Sequence, residues 1–308
     1  MILHHYPTSP FAEKIRLIFG YKNIAWQGVH IPMVMPKPDL IPLTGGYRKT
    51  PVLQIGADIY CDTALICDVL EHIAPTPSLY NNASKGLVRS LAQWADTLLF
   101  PVAMAYNFQP KGAQHVMATM PEDVVKVFAA DRQAMRGGGA RMPPADATAM
   151  YKSHLRRISS MLEDHAFLLG DKPCLADFSV YHSVWFTFAK VPVIDGILDA
   201  TPLVRDWAKR MEAFGHGQEK TISAAQALEV AKAAQPVPLT DDVFQDEHGL
   251  PLGTQVTVAA DSFGTEPTAG TLVAATRTRL TLERSDPLTG TVHVHFPRMG
   301  FIMKKADT

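Results

Sequence analysis

Residues 7–11 read Pro7-Thr8-Ser9-Pro10-Phe11, a pair of hydroxyls bracketed by prolines, and the reading of this stretch decides the fold. Before it, the apolar run Met1-Ile2-Leu3 predicts a short first strand. After it, Ala12 to Phe19 (AEKIRLIF) sets Ile15, Leu17, Ile18 and Phe19 among charges, the pattern of a helix with a buried face. Ser9 then falls at the N-cap and Pro10 at the first helical position. Free amides and about half a positive charge gather at a helix N-terminus. Two readings are open to Ser9: a plain helix cap, or a hydroxyl that helps hold an anion such as a thiolate.

A second stretch, Lys49-Thr50-Pro51-Val52-Leu53-Gln54-Ile55, predicts a strand entered through a proline. Gly56-Ala57-Asp58 makes a turn, Ile59-Tyr60-Cys61 begins the return strand, and Asp62-Thr63 opens an apolar run from Ala64 to Ile73. Strand, helix, long connection, hairpin, helix is the resulting order. Taken together, these residues resemble the thioredoxin-like N-terminal domain of serine-type glutathione transferases. Ser9-Pro10-Phe11-Ala12 stands at the active position and Thr50-Pro51 where the family has its cis-proline. Asp62-Thr63 stands where it has an acidic or amide residue followed by Ser or Thr.

Length and composition set wider limits. A chain of 308 residues suits two or three domains. With 47% hydrophobic and 19% charged residues it is globular, and a net charge of −1 gives no reason to expect nucleic acid or an anionic membrane as partner. Met1 leads into the first strand without a basic n-region, and the apolar stretch around Leu98 to Ala105 is far shorter than the ~20 residues of a membrane span. Cys61, Cys67 and Cys174 lack CxxC spacing, so neither a redox pair nor a zinc site is indicated. A cytoplasmic protein is expected.

Along the chain, residues 1–78 form the α/β module. Pro32, Pro36, Pro38 and Pro42 predict an irregular loop in place of a second helix. Thr76-Pro77-Ser78 and Asn81-Asn82 mark a linker. Residues 85–234 carry helical periodicity: Leu87, Leu91, Trp94, Ala95, Leu98 and Leu99 line one face, and Pro101 is expected to kink or end that helix. Further helices are expected over Glu122–Met135, Tyr151–Phe167, Val204–Phe214 and Ser223–Ala233. Gly137-Gly138-Gly139 is a loop, not a phosphate cradle, since no GK[ST] follows.

Leu168 to Ser179 (LLGDKPCLADFS) resembles the capping segment of the family's core helix. Cys174 replaces the usual hydroxyl, leaving only the Asp177 half of the box, at a cost of about 1 kcal/mol. Tyr181, Val184, Trp185 and Phe188 then form a buried stripe. Beyond Gln235 the period changes to two: Val256/Val258, Leu280/Leu282 and Val292/Val294/Phe296 alternate with polar neighbours. Residues 238–308 are therefore expected to form a small antiparallel β barrel or sandwich. The fold class expected is multidomain α/β plus all-α, and the resemblance covers roughly the first 220 residues.

A thiol with a pKa near 8.5 is only about 3% thiolate at pH 7, and a shift of about two units requires ~2.7 kcal/mol. A hydroxyl donating to a charged acceptor contributes about 1.5–3 kcal/mol and a helix terminus another ~0.3–1. Ser9 is thus sufficient in magnitude as a donor to a thiolate, which is also the role the resemblance implies. Thr8 is a fallback and Tyr6 a weaker one. The resemblance also implies a cis Thr50–Pro51 bond, with the Thr50 main chain pairing the cysteinyl backbone of glutathione. Asp62-Thr63 would take the γ-glutamyl end, the hydroxyl and helix amides binding its carboxylate and Asp62 its ammonium, or else it is an ordinary cap. Arg48 and Lys49 would pair with the glycyl carboxylate. Met104, Tyr106 and Phe108 either line an apolar pocket for an electrophile or are plain core.

Other residues read as structural. His293 and His295 lie two apart on one strand face, a spacing metals use, but no third ligand is evident and no metal is expected. His4 and His5 point to opposite faces of a strand, and Ser9 lacks the G-x-S-x-G elbow of a hydrolase. The function expected is that of a homodimeric glutathione transferase-like enzyme adding glutathione, its co-substrate, to an apolar electrophile. The alternatives are a non-enzymatic binding protein of the same fold and a glutathione-dependent isomerase or dehalogenase. The β tail serves either as an interaction module or as a cover for the active site.

Overall fold

The computed structural model describes residues 1–80, 84–239, 243–245 and 247–306; Asn81 and Asn82 of the expected linker lie outside them. The first module follows the expected order: β1 (Ile2–His5), α1 (Pro10–Tyr21), β2 (Ala25–His30), α2 (Ile41–Thr44), β3 (Val52–Ile55), β4 (Asp58–Cys61) and α3 (Thr63–Ile73). Ser9 caps α1 by accepting from the Ala12 amide at 3.2 Å, and Pro10 occupies the first turn. The prolines between β2 and β3 leave a single four-residue helical turn, as their fixed φ and missing donors require.

The helical region comprises α4 (Lys85–Trp94), α5 (Phe100–Asn107), α6 (Pro110–Met117), α7 (Glu122–Arg136), α8 (Pro144–Met161), α9 (Leu175–Trp185) and α10 (Pro202–Glu212). Pro101 does not end its helix. The backbone widens into a π-helical turn over Ala95–Leu99 and restarts as α5 with Pro101 in the first turn, where no N–H is needed. Helix α8 begins and ends earlier than the expected Tyr151–Phe167, because Pro144 is itself a favourable first helical residue. Helix α9 is buried along its whole length. Asp177 at its start accepts from the Leu168 and Cys174 amides and from Trp207 Nε1, each at 2.9 Å, and Cys174 Sγ donates to it at 3.3 Å. Both halves of the box are therefore present, contrary to the expected loss of one: the Cys174 sulfur accepts from the Asp177 amide in place of the usual hydroxyl, and the thiol also donates to the carboxylate.

The last part adds β5 (Gln218–Thr221), α11 (Ala224–Lys232), β6 (Gln255–Ala260), β7 (Thr268–Ala275), β8 (Arg279–Asp286), β9 (Gly290–Pro297) and β10 (Phe301–Lys305). The antiparallel strands expected of the tail are present, and they continue the sheet of the first module. One ten-stranded sheet runs β10-β6-β7-β8-β9-β4-β3-β1-β2-β5. Strand β9 lies parallel to β4, with Asp58 opposite His293 and Tyr60 opposite His295. The alternating residues Val256, Val258, Leu280, Leu282, Val292, Val294 and Phe296 share one core with Ile2, Val29, Val52 and Ile59 of the first module. A second core joins α1 and α3 to the helical bundle. Among the described residues no helix is long and apolar enough to cross a membrane.

Candidate functional site

Strand register gathers the three sequence motifs at one end of the sheet. His4 of β1 pairs with Val52 of β3, and Val52 pairs with Cys61 of β4. The chain leaving β1 toward Ser9, the Thr50-Pro51 entry to β3 and the Asp62 exit from β4 therefore emerge side by side. Ser9 is 2% exposed; its oxygen accepts from Ala12, and among the described residues no acceptor takes its proton. The loop carrying it is pinned from below by Arg16, which donates to the Pro7 carbonyl at 3.0 Å and to the Tyr6 carbonyl at 3.5 Å. Arg16 is itself held by Glu13 at 2.5 Å and stands 3.1 Å from His5 Nδ1. Thr8 donates to Met33 Sδ at 3.6 Å, and Tyr6 Oη accepts from Arg132 at 3.4 Å, so both fallback hydroxyls are engaged.

The Thr50–Pro51 bond is cis. Neither the amide nor the carbonyl of Thr50 has a hydrogen-bond partner among the described residues. Its hydroxyl accepts from Lys37 Nζ at 2.9 Å, and the same ammonium donates to the Arg48 carbonyl at 2.7 Å. Lys37 is buried, and desolvation together with the nearby Arg132 lowers its pKa to about 8. Asp62 has a positive φ of 74°, and its carboxylate caps α3 by accepting from Ala64 at 2.9 Å. Burial pushes its pKa up, and no cation lies within 4 Å of it among the described residues. Thr63 Oγ1 accepts from Lys14 at 3.3 Å.

Arg48 and Lys49 differ in availability. Arg48 is buried between two carboxylates, Asp131 of α7 at 2.5 Å and Glu266 before β7. Helix α7 reaches across the β2–β3 loop, since Asp131 also accepts from the Met35 amide at 3.0 Å and Arg132 donates to the Met33 carbonyl at 3.0 Å. Lys49 is half-buried, with Nζ 5.5 Å above the Phe301 ring and no carboxylate within 4 Å among the described residues. Of the aromatic residues expected to face the thiol, Tyr106 donates to the Ile194 carbonyl at 2.8 Å and Phe108 stacks on Phe128 and Phe186. The rings beside the Ser9 segment are others: Phe11 contacts Phe100 at 4.6 Å and His182 at 4.5 Å. Lys37, Asp131, Glu266 and His182 carried no local signal in the sequence.

Three comparisons with known proteins bear on this arrangement. Residues 3–78 match the glutathione S-transferase N-terminal domain and residues 142–214 the glutathione S-transferase C-terminal domain. A crystal structure of a GST-like protein from Pseudomonas syringae is 42% identical, with a TM-score of 0.82 over 99% of this chain and 99% of its own. The chain belongs to the glutathione transferase family. Within that family, a glutathione S-transferase from Rhodospirillum rubrum F11 shares the fold at 21% identity and a TM-score of 0.53, covering 69% of this chain and 87% of that one. FtsZ-localized protein A of Caulobacter vibrioides (strain NA1000 / CB15N) is 23% identical over 197 residues, 62% of this chain and 79% of its own. The Pseudomonas match extends through the β tail, so this transferase-family chain is similar to a protein with the same extension.

Proposed function

We propose that the chain binds glutathione at this end of the sheet, holds its thiol as thiolate with Ser9, and transfers it to an electrophile seated near Phe11, Phe100 and His182. The observation that carries the reading is a row of hydrogen-bonding groups unused among the described residues: the Ser9 proton, the Thr50 amide and carbonyl, and the second oxygen of the Asp62 carboxylate, whose first caps α3. Each suits one part of the tripeptide. The Ser9 hydroxyl donates to sulfur at the positive end of α1. The Thr50 main chain pairs with the cysteinyl backbone as a strand edge pairs with an extended peptide. Asp62 takes the γ-glutamyl ammonium, and the Thr63 hydroxyl with the α3 amides takes its carboxylate. Lys49 is the cation left for the glycyl carboxylate, since Arg48 is held by Asp131 and Glu266.

Glutathione titrated calorimetrically into the wild type and Ser9→Ala between pH 5 and 9 tests this. Binding with proton release in the wild type, and binding without it in Ser9→Ala, is the expected result. A second reading, a binding protein that keeps the fold without the chemistry, draws on the closure of Arg48 by carboxylates of α7 and the tail and on the likeness to FtsZ-localized protein A. A wild type that binds no glutathione would select it.

A further inference from the structure

Away from the thiol site, the junction between the first module and the tail holds a second cluster. Asp58 starts β4, while His293 and His295 lie on β9, beside it in the sheet. One donor atom of each lies within 4.8 Å of the others, and all three residues are buried. His295 Nε2 is 2.9 Å and His293 Nδ1 3.9 Å from Asp58 Oδ1. His293 Nδ1 is buried and makes no hydrogen bond.

From this geometry we infer that Asp58, His293 and His295 form a binding site for a divalent transition-metal ion of the zinc type, which fastens β9 of the tail to β4 of the first module. Two imidazoles and one carboxylate are the donor set such ions take, with bonds of about 2.0–2.2 Å. Tetrahedral ligands at that distance stand roughly 3.3 Å apart. The two separations from Asp58 Oδ1, 2.9 and 3.9 Å, bracket that value, and the two imidazole donors lie within 4.8 Å of each other, so side-chain rotations are what would close the site.

The atoms turned away from the cluster are held by other groups, as ligands of a metal usually are. Asp58 Oδ2 accepts from the Val237 amide at 2.9 Å, leaving Oδ1 for the cluster. His295 Nδ1 lies 3.0 Å from Thr281 Oγ1, which fixes the ring with Nε2 facing Asp58. His293 Nε2 lies 3.7 Å from a carboxylate oxygen of Glu283, leaving Nδ1 facing inward. Three ligands leave a fourth position for water, and a cavity of about 100 Å³ lined by Tyr60, Val237 and Leu239 adjoins Asp58 and His295. Arg279, itself engaged, lines the same cavity, and its positive charge works against a bound cation, opposed by the Asp58 carboxylate and by Glu283 beside His293. A Thr-His-Asp nucleophilic triad is the other chemistry these atoms resemble, but Thr281 is fully buried inside the sheet and no substrate reaches it.

The test uses the full chain, stripped with chelator and titrated with Zn²⁺ by calorimetry and with Co²⁺ by visible absorption. One ion per chain is expected, with tetrahedral Co²⁺ bands and a rise in thermal midpoint. His293→Ala is the informative variant, because His293 makes no close hydrogen bond; it should weaken Zn²⁺ binding by about a hundredfold or more while keeping the far-UV spectrum. His30→Ala, at the other His/Glu group (His5, His30, Glu219), should leave binding unchanged. X-ray absorption on the zinc-loaded wild type should show two imidazoles and oxygen, independently of any variant. A folded wild type that takes up no more Zn²⁺ or Co²⁺ than His293→Ala, or a zinc spectrum with sulfur ligands, would overturn the site and leave a buried Asp–His pair.

Discussion

Asp62 combines three strains in one residue. Its φ of 74° is a region that costs most side chains about 1–3 kcal/mol, though Asp and Asn tolerate it best. Its carboxylate is desolvated, with a pKa raised above 3.8, and its one close partner is an amide of its own helix. A raised carboxyl pKa means that the fold keeps a proton the unfolded chain has lost. Stability from this group is therefore present below pH 3.8 and falls as pH climbs through the higher folded value. Asp62→Asn keeps the cap and tolerates the same φ, so it should abolish that fall and leave the ligand-free protein at least as stable at pH 7, as urea unfolding across pH 3 to 7 would reveal. The same variant loses the counter-charge for an ammonium. It should bind glutathione about 10–100-fold more weakly, the equivalent of one charge-assisted hydrogen bond, and unchanged affinity by calorimetry would remove Asp62 from the site.

Between elements, the seam of α1 with the helical bundle holds a buried ion pair within its apolar packing. Lys14 of α1 is buried and meets Asp96, in the π-helical turn, at 2.7 Å, while His182 of α9 contacts the other oxygen at 3.0 Å. Burial opposes both charges, yet each holds the other ionised: Lys14 is raised and Asp96 lowered from their ordinary values. Asp96→Ala strands the ammonium and should cost about 3–5 kcal/mol in urea unfolding, whereas Lys14→Met with Asp96→Leu should cost clearly less. Equal losses would show that the pair is not the source of the cost. The pairing of Lys14 with Asp96 and His182 is not legible in the sequence, for a physical reason. Helix α1, the β3–β4 hairpin and α3 are written in caps, turns and periodicity that act within a dozen residues. Lys14 and Asp96 are 82 residues apart, and Arg48 and Glu266 218 apart, with only tertiary structure to bring them together. Strand β5, Gln218–Thr221, is exposed throughout and has no pattern of its own; pairing with β2 makes it a strand. The third member of the His293–His295 group is illegible for the same reason, because Asp58 lies 237 residues before His295.

At the scale of the whole molecule, the tail is part of the first module's structure, because it supplies β4 with a hydrogen-bonded neighbour. Without β9, the β4 backbone becomes an open sheet edge, which invites pairing with other chains. The shared core would open as well: Ile59, Val52 and Ile2 are fully or nearly fully buried, and Val292, Val294 and Phe296 belong to the same cluster. Burying a side chain of that size is worth about 1.5–3 kcal/mol, and several are uncovered at once. That loss is comparable with the whole stability of an ordinary domain, about 5–15 kcal/mol. A chain ending at Ala234 should therefore aggregate or unfold without a cooperative transition, while the full chain melts with module and tail together. A milder version of the same test is Val294→Asp, which places a charge at a fully buried position of β9 and should lower the midpoint of the entire first module. Calorimetry decides between the alternatives. If the truncated chain keeps the full chain's midpoint, or if the full chain shows a separate transition for the tail, the extension is an appendage that the first module does not need. A single transition lost on truncation means that the proposed glutathione site and the tail depend on one sheet, so that a partner gripping the tail acts on β4 and β3, the strands flanked by Asp62 and Thr50.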